Sequence, residues 1–282
     1  MNTEQLNYFV AQALQEDVGD GDHTTLSCIS KEAQGHAILK IKQEGMLAGV
    51  DVAKQIFYHI DPTLQFIPQL NDGEQVKPGD FAFEVRGSVH TILTAERLVL
   101  NTMQRMSGIA TLTNLYVEKI KSYSSKLLDT RKTTPNFRML EKEAVRIGGG
   151  TNHRFGLYDM ILIKDNHIDY CGSIEKAIEL AFEYVQKNKK GIHIEVETRT
   201  LEDVTKALST KKVDRIMFDN FTPDLIREAI GLIDGQCLTE ASGGIHLGNI
   251  ESYAATGVDF ISSGALIHQA QSIDLSLKAV IQ

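Results

Sequence analysis

Charged residues and glycines follow six short apolar runs in the second half of this 282-residue chain. The sets that follow the runs are Asp129-Thr130-Arg131-Lys132, Lys164-Asp165-Asn166-His167, Glu197, Asp219-Asn220, Ser242-Gly243-Gly244 and Ser263-Gly264. Cations and glycines suit a ligand that carries several negative charges, and carboxylates suit a divalent metal ion beside it. The pattern predicts that the residues after all six runs form one polar site.

Cations are concentrated in residues 131–164, although the chain as a whole is acidic. Seven cations stand there against three acids: Arg131, Lys132, Arg138, Lys142, Arg146, Arg154 and Lys164 against Glu141, Glu143 and Asp159. Because a guanidinium binds a carboxylate or phosphate through two parallel hydrogen bonds, this segment indicates an anion site. For Lys142 and Arg146 a solvated helix face over 138–146 is an equally good interpretation.

Two carboxylates, Glu197 and Asp219, end neighbouring runs. Hard oxygen ligands of this kind suit Mg²⁺ held jointly with a diphosphate, so the pair predicts a magnesium site. Period two along 193–197 places His193 and Glu195 on the same face as Glu197. We expect Glu195 to be a structural ion-pair partner there.

Glycines follow the last two runs, in Ser242-Gly243-Gly244 and Ser263-Gly264. Backbone amides at such turns and the next helix N-terminus commonly hold a phosphate, which is the function that we predict for them. Tight turns that simply need glycine are the alternative.

The six runs recur with helix-like stretches between them, which is the rhythm of repeated βα units. The runs are 127–128, 160–163, 192–196, 215–218, 238–241 and 260–262. In such folds the carboxyl ends of the strands form the ligand face. The spacing therefore predicts an α/β protein whose larger domain is a barrel of six or more strands. Ahead of it we expect a helix over 4–14, a small sheet-containing domain over 35–87, and one or two helices over 91–121.

Composition excludes several classes of protein. A net charge of -8 and a pI near 5.6 argue against a general nucleic-acid binder. No stretch approaches the roughly 20 apolar residues of a membrane span, and the first residues lack the features of a signal peptide, so we expect a cytoplasmic protein. The three cysteines form no CxxC pair, which argues against a disulfide framework and a zinc site.

Eight segments, taken together in this order and spacing, resemble the quinolinate phosphoribosyltransferase family. They are Glu96-Arg97-Leu98-Val99-Leu100-Asn101, Ser107-Gly108-Ile109-Ala110-Thr111, Thr130-Arg131-Lys132-Thr133-Thr134-Pro135, Asn152-His153-Arg154, Ile163-Lys164-Asp165-Asn166-His167, Ile194-Glu195-Val196-Glu197, Phe218-Asp219-Asn220-Phe221 and Glu240-Ala241-Ser242-Gly243-Gly244-Ile245. Thr198-Arg199 is the one departure from the family pattern that we find. The resemblance implies phosphoribosyl transfer from phosphoribosyl pyrophosphate to quinolinate with decarboxylation, which gives nicotinate mononucleotide, pyrophosphate and CO₂ in NAD biosynthesis.

The resemblance also implies an architecture. It is an N-terminal α/β open-faced sandwich over 1–114, completed by a C-terminal helix over 270–282, and an incomplete α/β barrel over 115–269. The family forms a homodimer in which the sandwich of one subunit covers the barrel mouth of the other. The active sites of this chain would then be shared between subunits.

Roles for individual residues come from the same resemblance. Arg97 would reach in from the neighbouring subunit, while Arg131, His153 and Arg154 would bind the two quinolinate carboxylates. Lys132 and Lys164 would meet the ribose and phosphate region, with Thr133 in the same substrate-binding motif. Glu197 and Asp219 would serve the ribose hydroxyls and Mg²⁺, and Lys132, Lys164, Glu197 and Asp219 form the catalytic set. Residues Ser242, Gly243, Gly244, Ser263 and Gly264 would hold the 5′-phosphate.

Three other functions remain open from the sequence. A phosphoribosyltransferase of the same fold could act on nicotinate or another carboxylated ring. A Schiff-base lyase or aldolase could use Lys132 or Lys164 as its nucleophile. A non-catalytic metabolite sensor is disfavoured, because both the cations and the carboxylates of an active site are present.

Overall fold

The protein divides into two compact units in its computed structural model, which describes residues 3–188 and 191–280. The first unit contains the described parts of Met1–Asn114, Thr133–Gly149 and Gln269–Gln282. The second contains Leu115–Lys132 and the described parts of Gly150–His268. All six runs of the predicted barrel fall in the second unit.

Helices and strands follow in chain order. The helices are α1 Thr3–Val18, α2 His23–Cys28, α3 Val50–Ile60, α4 Val89–Ile120, α5 Arg138–Ile147, α6 Asp165–Cys171, α7 Ile174–Asn188, α8 Leu201–Thr210, α9 Pro223–Ile233, α10 Ile250–Ala254 and α11 Ala265–His268. The strands are β1 Gln34–Ile41, β2 Gly45–Met46, β3 Gln65–Pro68, β4 Gln75–Val76, β5 Phe81–Ser88, β6 Lys126–Leu128, β7 Ile161–Ile163, β8 Ile194–Thr198, β9 Arg215–Asp219, β10 Leu238–Ser242, β11 Phe260–Ser262 and β12 Leu275–Ala279.

The first unit is built on an antiparallel four-stranded sheet of order β12-β1-β5-β3. Alternate residues of its strands are buried, and Phe83 of β5 meets Phe57 of α3 and Phe66 of β3 in an aromatic cluster with ring centroids 4.5–6.2 Å apart. Aromatic contacts of this kind add to the free energy gained by burying the rings. The prediction of a small sheet-containing domain is confirmed, and α4 is one continuous helix.

The C-terminal segment corrects one prediction. Where a helix was expected over 270–282, the described residues contain β12, which pairs antiparallel with β1 at the edge of the sheet. The physical reason is period two: Leu275 and Leu277 are buried, whereas the residues between and after them are more exposed. Residues 281 and 282 of the predicted helix lie outside the described part of the chain.

The second unit contains a six-stranded parallel sheet of order β6-β11-β10-β9-β8-β7. This is the cyclic order of an α/β barrel that stays open between its first and second strands. Thr151 partly covers the open edge of β6, since its N–H donates to Leu127 O at 2.8 Å and its carbonyl accepts from Asp129 N–H. All six predicted strands are present, and the parallel α/β class is confirmed.

Two further expectations concern helices. The solvated-face interpretation of 138–146 is correct for Arg146, which is exposed, but wrong for Lys142, which is 2% exposed. The reason is that α5 buries a broad face that includes Leu140, Ala144 and Val145. No helix among the described residues is long and apolar enough to cross a membrane.

Candidate active site

The carboxyl ends of the six parallel strands surround a cavity of about 510 Å³ in the second unit. Its lining residues are Thr130, Arg131, Lys132, His153, Arg154, Leu162, Lys164, Asp165, Glu197, Met217, Asp219, Glu240, Ser242, Gly243 and Ser262. Because parallel strands end at the same edge of a sheet, residues far apart in sequence meet here. Nine of the predicted site residues are among them.

Lys164 and Glu197 form an ion pair across the ends of β7 and β8. The Lys164 Nζ donates to Glu197 Oε2 at 3.0 Å, and Glu197 is 7% exposed while the lysine side chain is half exposed. The ion pair brings a positive charge to the edge of the cavity, which suits an anionic ligand.

Asp219 ends β9 on the strand next to Glu197. Its Oδ2 accepts a hydrogen bond from the Asn220 side chain at 2.8 Å. Within residues 3–188 and 191–280, no hydrogen bond reaches Glu197 Oε1 or Asp219 Oδ1, the other oxygen of each carboxylate. Two carboxylates with an available oxygen, facing one polar cavity, are a donor set that fits Mg²⁺.

Arg131 and Arg154 bring two guanidiniums to the same cavity. Burial, and after it the positive charge of Arg131, lower the pKa of Arg154 below its ordinary value. The Arg154 Nη1 donates to Met160 O at 3.1 Å, which fixes the side chain along the cavity wall. Two cations held close together are stabilised by an added anion, so the pair is suited to a ligand with carboxylates.

Gly243 follows β10 in a left-handed conformation, with φ +90°. A Cβ there would lie 2.3 Å from Asn220 Oδ1, so any other residue would displace the Asn220 side chain that bonds Asp219. This close approach shows that the tight-turn interpretation holds for Gly243, and it does not conflict with a phosphate at the same turn. Ser242 and Gly243 both line the cavity.

Five predicted residues are not among the lining residues. Gly244 is exposed, and Gly264 lies beside Lys132, whose Cδ would be 3.0 Å from an added Cβ. Ser263 is buried, and its hydroxyl donates to Ile245 O at 2.8 Å. Thr133 and Arg97 belong to the first unit, where Thr133 Oγ1 accepts from Arg138 Nε and Arg97 is exposed on α4.

His153 lies at the bottom of the cavity and is 8% exposed. The backbone N–H of His153 donates to the buried Asp129 carboxylate at 2.8 Å, which fixes the backbone at this position. Its Nε2 lies 3.1 Å from Glu195 Oε2 and 3.4 Å from Glu240 Oε2, and its Nδ1 accepts from the Arg154 N–H at 2.7 Å. Both ring nitrogens therefore already contact protein groups.

Glu195, Glu240 and Arg215 complete a buried charged cluster with His153, which we call the floor of the site. Arg215 Nη1 lies 2.9 Å from Glu240 Oε2 and 3.8 Å from Glu195 Oε2, and both glutamates are 0% exposed. Arg215 also stacks on Phe260, with its guanidinium carbon 4.2 Å from the ring centroid. The floor holds two acids and two bases.

The pKa values of the floor groups are shifted by burial and by one another. Burial acts to lower the pKa of His153, but its contacts with Glu195 and Glu240 outweigh burial and raise the pKa to about 9. Burial and the charge of Glu240 raise the pKa of Glu195 to about 7. Burial acts to raise the pKa of Glu240, yet the hydrogen bond from His153 brings it below its ordinary value.

Two family models cover most of the chain. The C-terminal domain model of quinolinate phosphoribosyl transferase matches residues 109–278, and the N-terminal domain model matches residues 22–107. The chain belongs to the quinolinate phosphoribosyl transferase family. The resemblance of the eight sequence segments is therefore confirmed.

Individual relatives of this family agree along nearly the whole chain. A tobacco (Nicotiana tabacum) protein named quinolinate phosphoribosyltransferase [decarboxylating] 1b is 42% identical over 98% of this chain and 83% of its own length. A probable nicotinate-nucleotide pyrophosphorylase [carboxylating] of Bacillus subtilis is 43% identical over 100% of this chain and 96% of its own. The crystal structure of NadC from Streptococcus pyogenes is 40% identical, with a TM-score of 0.92, and covers 100% of this chain and 99% of that one.

Sequence reasoning missed part of this family member's site and misplaced one histidine. His193 precedes β8 and is exposed beside Asp214, so the expectation that it points inward with Glu197 is wrong, because the strand begins only at Ile194. Glu195 is a buried ion-pair partner, as expected. Arg215 and Glu240 were missed, although period two from Asp219 and Ser242 places both on the inward face.

Proposed function

We propose that this protein is a decarboxylating quinolinate phosphoribosyltransferase of NAD biosynthesis. The observation that supports the proposal most is the cavity that combines Arg131 and Arg154 with the carboxylates Glu197 and Asp219. Its cations suit a pyridine dicarboxylate, and its acids suit a sugar and a metal ion. The family and the named relatives agree with this activity.

Quinolinate binds at the arginine side of the cavity. Arg131 and Arg154 contact its two carboxylates and orient the ring so that the pyridine nitrogen faces the sugar. Holding two reactants in this way replaces the entropy that a bimolecular encounter would lose, and it accounts for a large part of the rate. Two cations at one end of the cavity favour a dicarboxylate over nicotinate, which carries one carboxylate.

Phosphoribosyl pyrophosphate binds along the strand ends that carry Lys164, Glu197 and Asp219. We propose that Glu197 and Asp219 hold Mg²⁺ and the ribose hydroxyls, and that Lys132 and Lys164 contact phosphate oxygens. When bound there, Mg²⁺ neutralises charge on the departing pyrophosphate. We propose that Ser242, Gly243, Gly244, Ser263 and Gly264 hold the 5′-phosphate of the donor; Ser242 and Gly243, which line the cavity, support this proposal.

The chemistry needs no protein nucleophile. The pyridine nitrogen forms a bond to the anomeric carbon as the bond from that carbon to pyrophosphate breaks, and Glu197 and Asp219 stabilise the positive character of the sugar. The bond between C2 of the ring and its carboxylate then breaks. The electron pair stays at C2, stabilised by the adjacent pyridinium, CO₂ leaves, and C2 takes up a proton.

We further propose a cytoplasmic homodimer with shared active sites. Arg97 is exposed on α4 of the first unit and is not among the residues that line the cavity of the second, which is consistent with its delivery to another subunit.

The decisive assay measures CO₂ release from carboxyl-labelled quinolinate. We expect release that requires quinolinate, phosphoribosyl pyrophosphate and Mg²⁺ together, with nicotinate unable to replace quinolinate as phosphoribosyl acceptor. Release without the sugar donor, or faster transfer to nicotinate, would refute the proposed substrate. Borohydride reduction with a carbonyl substrate provides the test of the lyase alternative, and a trapped adduct on Lys132 or Lys164 would support that alternative.

Mixing two inactive variants tests the shared site. Arg97→Ala and Arg154→Ala subunits should form hybrid dimers in which one site carries both changes and the other carries neither. With random exchange at equal amounts, activity should approach about a quarter of the unmodified value. Mixtures that exchange subunits, as measured by native mass spectrometry, and remain inactive would show that Arg97 serves its own chain.

A further inference from the structure

The floor of the site is an unusual interior for an α/β barrel. Barrel interiors are generally filled by layers of branched apolar side chains, whereas the described inward positions here include Arg215, Glu195 and Glu240. Arg215 is the first residue of β9, so it enters from the end of the sheet opposite the cavity. Glu240 contacts Arg215 on one side and lines the cavity on the other.

The charges of the floor matter to a ligand in the cavity. Two buried carboxylates, Glu240 in the cavity lining and Glu195 close enough to act on the charge of Arg154, would repel a dianion and would attract the arginine that should bind it. Such repulsion is weakly screened in a water-poor interior. Arg215 offsets it, because its guanidinium meets Glu240 Oε2 at 2.9 Å and lies 3.8 Å from Glu195 Oε2.

His153 cannot serve this purpose alone. Its Nε2 faces both glutamates, so one imidazolium would have to balance two carboxylates, while its Nδ1 contacts the Arg154 N–H. The Arg154 backbone is thereby tied to the floor through His153. A second cation, which does not titrate, is needed to keep two carboxylates balanced in this place, and Arg215 is that cation.

We propose that Arg215 determines the affinity for quinolinate by neutralising Glu195 and Glu240 beneath the substrate. It is a positioning residue: it acts through Glu240 and His153 and does not touch the ligand. The inference rests on the proposed function, since it takes quinolinate as the anion in the cavity.

The test compares variants that remove opposite charges from one ion pair. Quinolinate binding is measured by calorimetry at pH 7 for the unmodified protein, for Arg215→Met, for Glu240→Gln and for the double variant. A purely structural role predicts that both single changes weaken binding or leave it unchanged. The electrostatic role predicts opposite signs: Arg215→Met raises Kd by about tenfold or more, and Glu240→Gln lowers it by a few-fold. The double variant should return to within about threefold of the unmodified protein.

The signs of the two changes in Kd distinguish the electrostatic role of Arg215 from a structural one. Opposite signs with recovery in the double variant support the inference, whereas weakening in both single variants, or no recovery, would overturn it. If Arg215→Met does not fold, Glu240→Gln decides alone, since unchanged or weaker binding contradicts the proposal. Arg227→Met, which removes an exposed arginine paired with Asp224 on α9, is the matched control and should leave Kd unchanged. Failure of the unmodified protein to bind quinolinate would refute the proposed function and this inference with it, whereas binding that Arg215→Met leaves unchanged would refute the inference alone.

Discussion

The second unit holds two sets of charged residues with opposite surroundings. The first, which we call the rim, consists of Arg131, Lys132, Arg154, Lys164, Glu197 and Asp219 at the strand ends. The floor below it consists of His153, Glu195, Arg215 and Glu240. Rim groups keep atoms open to a ligand, such as Asp219 Oδ1, whereas the floor carboxylates are 0% exposed and meet their partners inside the protein.

This difference separates two uses of charge. A buried ion pair is rarely more stabilising than apolar residues of the same size, so stability alone does not account for the floor. The rim, whose side chains other than that of Glu197 are partly or fully exposed, contributes little to folding but can bind substrate directly. Changes at the rim should therefore alter turnover and binding first, and changes at the floor should alter stability as well.

The largest effect is expected at the acidic part of the rim. Glu197→Ala and Asp219→Ala should each lower kcat by about two to three orders of magnitude, because both face the sugar and the leaving group. Quinolinate affinity should remain nearly intact, as calorimetry can measure. Glu202→Ala, an exposed change on α8, is the control. A loss of quinolinate affinity as large as that of Arg131→Ala would contradict the assignment of these acids to the sugar donor.

The next largest effect is expected on stability, when Arg215 is removed from the floor. Arg215→Met should lower the free energy of unfolding by about 3 kcal/mol, since it leaves buried carboxylates without their partner. The exposed Arg227→Met change should cost less than about 1 kcal/mol. Urea unfolding followed by circular dichroism provides both values. Equal losses in the free energy of unfolding for the two variants would mean that an arginine of the floor stabilises the protein no more than an exposed one.

A smaller effect concerns pH. The pKa of His153 is raised from its ordinary 6.5 to about 9, so its contribution to stability is complete below pH 6.5 and is lost as the pH rises through 9. The pKa of Glu195, raised from 4.5 to about 7, acts in the same direction at lower pH. His153 should therefore lower the free energy of unfolding by on the order of 1 kcal/mol per pH unit between about pH 6.5 and 9, and Glu195 should act between about pH 4.5 and 7. His153→Gln should flatten this slope; a slope that persists unchanged would place its origin elsewhere.

The smallest effect belongs to Arg199, the residue at which the sequence departs from its family. It pairs with Asp169 of α6 at 2.9 Å on an exposed surface. Arg199→Ala should leave the thermal unfolding midpoint unchanged and should change kcat/KM by less than about twofold. A clear loss of activity would show that the pair of Arg199 and Asp169 belongs to the rim.

The barrel half was predictable from the sequence because short segments with apolar residues recur between helix-like stretches, and each is followed by polar residues or glycines. The same pattern placed Lys164, Glu197 and Asp219 in one cavity. Prediction failed where the sequence does not show at which residue a strand begins or which side chains the packing buries. His193 was misplaced because period two does not say where a strand begins.

Two members of the floor were missed for a different reason. Arg215 and Glu240 lie on separate strands, and each alone is an ordinary charged residue in a strand; only the register that pairs Glu240 with Met217, and Leu238 with Arg215, brings them near one another. The exposure of Lys142 was predicted wrongly for a similar reason. A charged residue usually favours an exposed position, and only the packing shows that this face of α5 is buried. Tertiary contacts, which no local pattern contains, decide both cases.

The last described strand has a consequence for how the chain folds during synthesis. β12 lies at the edge of a sheet whose next strand, β1, begins at Gln34, so a ribosome must translate all of residues 34–279 before that pairing is complete. Every strand of the parallel sheet, β6 to β11, emerges earlier. Pairing between segments so distant in sequence is slow to form, and β1 presents an unpaired edge until then. The N-terminal half of this polypeptide, although made first, is therefore finished last, and the nascent chain has most need of a chaperone in that interval.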